Sequence, residues 1–365
     1  MAGTHDYRVK VAFVYAGGRL GRDAQGPSDF FYGARELPRR ADWDVRLVEL
    51  DQFPADPLTG IFAGRLFRRY LPPRTSADWI ARCRRTLPQL RGCDAVVSTS
   101  TEASFGLALW KSLGLLKPRL VGILCGAVNY PIGSELRRQW TARLLARMHP
   151  VLFADSEKDE LSRRFALAPE KIAVGWFGVD ENFWQPPAGV RPRSGVLAVG
   201  NDGRRDYATL LESARMLPQI SFTVITRISA PNDLPSNVQW RRGDWHEQAV
   251  SDRELRELYQ RSACVVVPLK ESLQPSGQSV AMQAMMCGAP VVHTKTSGWW
   301  GAEVIRDGEE VLLVPPADPS ALAAAIRSVI SRGVSGRSGQ ALLTAGWTAS
   351  GFADRIGALV ASQIN

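Results

Sequence analysis

The chain has 365 residues, of which 45% are hydrophobic and 22% charged, with a formal net charge of +9. That length exceeds one ordinary domain and is comfortable for two, each burying its own core, and no run of about eighteen apolar residues is present to span a bilayer. The five cysteines, Cys83, Cys93, Cys125, Cys264 and Cys287, are odd in number and scattered, which argues for thiols over a disulfide or zinc framework. Met1 to Lys10 leads straight into a strand-like run, so no targeting segment and cytoplasmic residence are the expectations. The positive balance favours an acidic partner: a phosphorylated substrate, an anionic membrane surface or a nucleic acid.

In chain order, the amino half predicts a strand over 9–15, a helix over 29–39, and strands over 44–50, 94–98, 120–124 and 151–154. Alternating strand and helix signals of this kind argue for a parallel sheet wrapped by helices. A proline-rich break from Gln185 to Arg193 interrupts the pattern and predicts the hinge. Beyond it, strands are expected over 195–199, 222–225, 264–267, 289–293 and 311–314. Helices are expected over 207–216, 253–260, 280–286, 319–331 and, at the end, 352–362. The fold class read from this is α/β: two Rossmann-like doubly wound domains facing across a cleft, with a ligand pocket between them. The expected domains are 1–188 and 189–345, with 346–365 a helix crossing back to the first.

The most informative stretch runs from Cys264 to Val292. It reads as a buried strand, a loop of small residues (Pro275, Ser276, Gly277), a helix opening at Ser276 or Gly277, a glycine stop at Gly288 and a second apolar strand. In a parallel sheet, ligands sit at the carboxyl ends of the strands, and a helix N-terminus there offers unpaired N–H groups and a positive dipole end. A diphosphate is the natural guest. Gly277 lets a ligand approach the backbone, and the amides of Gln278 and Ser279 follow at the start of the helix.

Several pieces, in order, resemble the retaining nucleotide-sugar glycosyltransferases of the GT-B fold, glycosyltransferase family four (glycosyl transferases group one). They are Ala154 to Glu157, Lys171 to Val174, Gly178-Val179-Asp180 with Phe183, Val199-Gly200, Leu258-Tyr259, the Cys264 to Val292 stretch, and Asp307-Gly308 with Leu312 to Pro319. The resemblance covers the carboxyl half well and the amino half weakly. It implies a nucleotide-diphosphate sugar held mainly by the second domain as co-substrate, no cofactor, and a hydroxyl acceptor held mainly by the first. It also implies transfer with retained anomeric configuration and no protein nucleophile. The protein's main task is then to stabilise the charge developing on the leaving diphosphate.

In this family an arginine and a lysine usually hold the phosphates. Counted from Gly200, the arginine slot falls on Asn201 and the lysine slot on Asp206, so Arg205 stands one residue out of register. Arg205, with Arg204 beside it, is nevertheless the expected phosphate ligand, because a guanidinium grips phosphate as a fork; Asp206 suits helix capping instead. The family's paired glutamates are altered to Pro275 and Gln283. An amide at Gln283 can still accept from one ribose hydroxyl and donate to the other. Glu271, four residues upstream of Pro275, is a candidate replacement for the first glutamate at the transferred sugar, against the commoner state of an exposed loop carboxylate. Gly17 and Gly18 resemble the amino-domain glycine loop that also faces the diphosphate. No histidine stands where an acceptor-side base is usual; Cys125-Gly126 occupies that place. His293 is read as closing a strand beside the donor pocket. The histidines show no paired ligand spacing, so no metal is expected.

Two segments, Ile61 to Leu71 and Leu136 to Arg147, combine arginines with bulky apolar residues. Each reads as a core-facing helix with solvated arginines, with a membrane-surface helix and peripheral contact at the inner membrane face as the alternative. A lipid-linked or phosphorylated acceptor is compatible with either. No aromatic-basic signature of nucleic-acid binding is present. Replacement of both acidic positions leaves one other function open, a non-catalytic sugar-nucleotide or glycan-binding protein of the same fold.

Overall fold

The computed structural model describes residues 8–22, 25–40, 42–54, 70–73, 75–129, 131–189, 191–244, 249–332 and 338–364. The chain forms two compact units. One comprises Met1–Ala24, Phe30–Trp176 and Ser350–Asn365, the other Gln25–Asp29 and Phe177–Ala349.

The first unit carries a six-stranded sheet in the order β2-β1-β3-β4-β5-β6, every pair parallel. Its strands are β1 (Val9–Tyr15), β2 (Trp43–Glu49), β3 (Ala95–Ser98), β4 (Arg119–Ile123), β5 (His149–Leu152) and β6 (Ala173–Val174). Central strands such as β3 are buried on both faces, which is why they read as unbroken apolar runs and not as alternation. The helices are α1 (Ala77–Thr86), α2 (Thr101–Ser112), α3 (Glu135–Leu145) and α4 (Asp155–Phe165). Ser76, Ser100 and Ser134 cap the first three, each accepting from the backbone N–H three residues on.

No α-helix forms over 29–39. Left-handed φ values at Tyr32 and Gly33 and Pro38 leave only short 3-10 turns at Asp29–Phe31 and Leu37–Arg39. A side chain at Gly33 would meet the backbone of Ala353 at 2.8 Å, because this stretch is pressed against the final helix α10 (Ala349–Ile364). Phe352, Ala353, Ile356 and Val360 of α10 join Val11, Phe13 and Val121 in one core.

Helix α3 faces that unit through Thr141, Leu144 and Leu145, and Arg138 is held by Glu135 on the same helix at 2.5 Å, the arrangement of a core-facing helix with a solvated charged side. The companion segment, 61–69, lies outside the described residues. Among the described residues no helix is long and apolar enough to cross a membrane.

Glu157 on α4 is fully buried and accepts from Gly126 N at 3.1 Å. Burial pushes its pKa up to about 8 from an ordinary 4.5, so the folded unit retains a proton that the unfolded chain releases. Stability from this group is therefore full below about 4.5 and is lost as pH rises through about 8. Glu157→Gln keeps the acceptor without the charge. The variant should melt several degrees above wild type at pH about 8.5 and show no such gain near pH 5, and equal shifts at both pH values would refute the assignment.

The second unit carries β7 (Ser194–Val199), β8 (Phe222–Thr226), β9 (Val238–Arg242), β10 (Ser262–Val267), β11 (Val291–Thr294) and β12 (Leu312–Val314). The order is β12-β11-β10-β7-β8-β9, again all parallel. Renumbered within the unit this is the Rossmann order 3-2-1-4-5-6, whose strand sequence reverses direction between β7 and β10. The helices are α5 (Tyr207–Arg215), α6 (Asp252–Arg261), α7 (Gln278–Met286), α8 (Pro319–Arg332) and α9 (Ser338–Thr344).

The unit begins at Phe177, not at residue 189. Val179 pairs with Thr348, Arg256 bonds Phe183 O at 3.1 Å, and Trp184 is fully buried. Residues 177–188 thus belong to the second core, and the proline-rich run that follows is a surface connection. Residues 25–29 belong there too, because Asp29 accepts from Asp180 N, Trp184 Nε1 and Gln283 Nε2.

Candidate functional site

The reversal point of the second sheet brings together two loops at the carboxyl ends of β7 and β10. After β7, Asp202 closes a turn by accepting from Arg204 N at 2.9 Å. The turn is then latched to the chain beyond β10: Asp206 N donates to Pro268 O, Lys270 N to Arg204 O, and Arg205 bridges Leu269. These bonds set the register of Arg205 and turn its side chain inward.

Its guanidinium lies across Gly200, where any Cβ would collide with Nε. Gly200 is therefore needed for close approach. Arg205 is 5% exposed. Asp202 lies 3.6 Å from its Nη2, and Nε and Nη1 have no hydrogen-bond partner.

Beyond β10 the chain reaches Ser276 and Gly277. Gly277 adopts left-handed φ +77° as the N-cap of α7 and has no side chain with which to cap it. A Cβ here would strike Val267 and stand 3.1 Å from Arg205 Nη1 and 3.2 Å from His293 Nε2. Ser276 Oγ and His293 Nε2 are likewise buried and unpartnered. Four polar atoms from three side chains thus border the start of one helix with no acceptor or donor to meet them. Buried polar groups are normally paired, so this cluster is able to receive a polar ligand.

His293 is 1% exposed, its Nδ1 lies 2.8 Å from Thr294 O, and its ring stands edge-on to Trp299 with centroids 4.9 Å apart. The Ser276 carbonyl also acts on the ring. A carbonyl only accepts, so the single proton of the neutral ring faces one of the two carbonyls, and with it on Nδ1 against Thr294 O the other nitrogen, Nε2, is left bare. Burial, aided by the Arg205 charge, lowers the pKa to about 4, so the ring is neutral in the empty site.

The other residues expected at the site have different tasks. Arg204 is half-buried one residue before Arg205. Asn201 donates to Gly243 O at 2.7 Å and accepts from Arg227 N at 2.6 Å, which ties β7 to the chain after β8 and β9 and occupies both ends of the amide. Glu271 Oε1 accepts from Ser272 N and Ser297 N at 3.0 and 2.9 Å; these backbone bonds hold its pKa below the usual carboxylate value, and it clamps two loops together. Gln283 is buried, with Nε2 donated to Asp29 at 2.7 Å, so its amide is committed inside the core. Gln278 is buried and Ser279 half-buried in the first turn of α7.

In the first unit, Gly18 N donates to Asp51 at 3.2 Å, and Arg19 N and Leu20 N both donate to Glu49. The glycine loop of Gly17 and Gly18 therefore spends its amides on carboxylates of its own unit, and those negative charges oppose a phosphate.

His293 was legible as a strand end beside the donor pocket, but not as a residue of the site. The one signal in the sequence was a titratable residue within an otherwise apolar strand.

Two units, each with a six-stranded parallel sheet wrapped by helices, and a ligand-ready helix N-terminus at the reversal point of the second, define the GT-B class of nucleotide-binding folds. Residues 196–332, all within the second unit, match the family described as "Glycosyl transferases group 1". The chain is 26% identical over 243 residues to the MMP alpha-(1->4)-mannosyltransferase of Mycolicibacterium hassiacum, a match spanning 58% of this chain and 58% of that protein. Among solved structures it is similar to the sucrose-phosphate synthase of Thermosynechococcus elongatus (TM-score 0.70, 18% identity, 98% of this chain and 99% of the other). It is also similar to Anabaena HepE in complex with UDP-glucose (TM-score 0.70, 16% identity, 97% and 100%). Both share the GT-B fold.

Proposed function

We propose that this protein is a glycosyltransferase that takes a sugar from a nucleotide-diphosphate sugar and passes it to a hydroxyl acceptor with retained anomeric configuration. The observation that carries this reading is the convergence of Arg205 Nε and Nη1, Ser276 Oγ and His293 Nε2, all buried and unpartnered, on the N-terminus of α7. A guanidinium and a helix end aimed at one point are suited to a diphosphate, and they stabilise it more as negative charge grows during bond breaking. In the proposed step the sugar–phosphate bond breaks with its electron pair going to the diphosphate. The acceptor oxygen bonds to the sugar on the same face, and its proton passes to a phosphate oxygen. Arg205 supplies the positive charge, so no metal is invoked. Similarity to HepE bound to UDP-glucose and to a mannosyltransferase supports a hexose donor and makes UDP the first base to test. The net charge of +9 supports an acceptor that is phosphorylated or lipid-linked, with peripheral contact at an anionic surface.

Thermal-shift measurements against UDP, GDP, ADP and TDP and their sugars identify the donor, since a ligand of the native state raises the melting temperature with occupancy. At least one should raise it by several degrees, and transfer or slow donor hydrolysis should follow. No stabilisation by any of them would refute the reading. A second reading, nucleotide-sugar binding without transfer, draws on Pro275 and on the internal commitment of Gln283; stabilisation with neither hydrolysis nor transfer over a broad acceptor panel would favour it.

A further inference from the structure

His293 is not needed to hold β11 in the sheet, since its backbone takes part in strand pairing whatever its side chain. Yet its side chain is buried, with Nδ1 beside Thr294 O and Nε2, near Arg205, without a hydrogen-bond partner, while the Ser276 carbonyl also acts on the ring. A bare imidazole nitrogen can only accept a hydrogen bond, and so can a phosphate oxygen, so the two do not suit each other as they stand. When phosphate oxygens fill the space, two lone pairs would face each other unless a proton lies between them.

We propose that His293 is a second, proton-dependent ligand of the leaving diphosphate: binding draws one proton from solvent onto Nε2, and the imidazolium donates it to a phosphate oxygen next to Arg205. The inference rests on the donor-site reading above. The proton returns to solvent when the nucleoside diphosphate departs, so the cycle balances.

Three features of the chain support it. Asp206, the nearby position at which a second cation would be expected, is spent on capping α5 by accepting from Thr209 N at 3.2 Å and adds no positive charge. Trp299 and Trp300, in T-shaped contact with His293 at 4.9 and 6.0 Å between centroids, supply no anionic acceptor that competes with a phosphate. In the empty site burial and the Arg205 charge oppose protonation of His293, outweighing the Thr294 and Ser276 carbonyls that favour it. An incoming diphosphate neutralises that repulsion and reverses the sign of the local field. Since the empty-site pKa lies near 4, proton uptake makes binding weaken as pH rises from there towards the pKa of the bound state.

The test uses the full chain, in which only four histidines are present, labelled with nitrogen-15 at histidine. Long-range proton–nitrogen spectra are recorded at about pH 7 alone and with each of UDP, GDP, ADP and TDP, and His293→Gln assigns the signals. Alone, His293 should show one protonated and one bare nitrogen; with a diphosphate that binds, both should appear protonated. As a second measurement, affinity for that diphosphate should fall with rising pH more steeply in wild type than in His293→Gln, by up to about tenfold per pH unit. A His293 that stays neutral with a diphosphate bound, binding being judged by thermal shift, overturns the proposal and leaves the donor site standing. Failure of all four to bind overturns both.

Discussion

Arg205→Ala should abolish most diphosphate binding while leaving the protein as stable as before or more so. The guanidinium is buried with Nε and Nη1 unpartnered, so the empty protein carries the desolvation cost of a charge whose bonds are reserved for something else. Two charge-assisted hydrogen bonds contribute about 1.5–3 kcal/mol each, which corresponds to a loss of affinity on the order of 10²–10⁴-fold. Transfer should fall at least as much if the charge matters more in the transition state. Opposite responses of affinity and stability separate a ligand-binding role from a structural one, because a residue that holds the loop together would lower both. Calorimetric titration with the stabilising nucleotide and a melting curve decide it. A variant that binds normally, or that melts many degrees lower, would end the assignment.

Asp29→Ala should be among the most destabilising single changes in the second unit. The carboxylate is buried and receives three donors: Asp180 N, Trp184 Nε1 at 2.7 Å and Gln283 Nε2 at 2.7 Å. The neighbouring Asp180 in turn accepts from Ser28 N at 2.8 Å and Asn182 N at 2.9 Å. Removing Asp29 leaves three buried donors unmet at about 1–3 kcal/mol each, a total on the order of 3–9 kcal/mol, or roughly 10 °C or more in melting temperature for a unit of this size. Burial, opposed by these donors, pushes the carboxyl pKa up to about 7 from an ordinary 3.8. In that window the folded protein holds a proton that the unfolded chain lacks, so the stability from Asp29 is present below about 3.8 and diminishes as pH rises through 7. The variant should lack this component. A loss under about 1 kcal/mol would show that the network does not matter.

Much of the architecture was readable before any coordinates. Strands such as β1, β3 and β10 are short apolar runs buried on both faces, and their alternation with amphipathic segments permits few arrangements other than a doubly wound sheet. The opening of α7 at Gly277 was legible because a glycine after a loop of small residues is a local signal. Local signals were silent where the partner is distant in sequence. The two-residue β6 and the polar β9 pass as loops, because they are strands only through the neighbour they pair with. The helix expected over 29–39 failed because that segment packs against α10, a contact over three hundred residues away in the chain.

The same division holds at the site. Arg205 stood out by type and by its place after a strand, and the turn residues Ser276 and Gly277 by composition. That Asn201, Glu271 and Gln283 are tied up in structural bonds, and that the glycine loop at Gly17 and Gly18 faces Asp51 and Glu49, depends on partners that sequence order does not bring near.

By itself, the sequence determined the parallel α/β class, the two-unit organisation and the helix start that offers its amides. Each of these is written in periodicity or in a residue's own backbone preference, which act over a few positions. Only the tertiary structure decided that Phe177 opens the second unit, that Asp29 serves its core, and that His293 stands bare-nitrogened beside Arg205. Those outcomes turn on which buried polar atoms find partners, and pairing across hundreds of residues is a property of the folded chain.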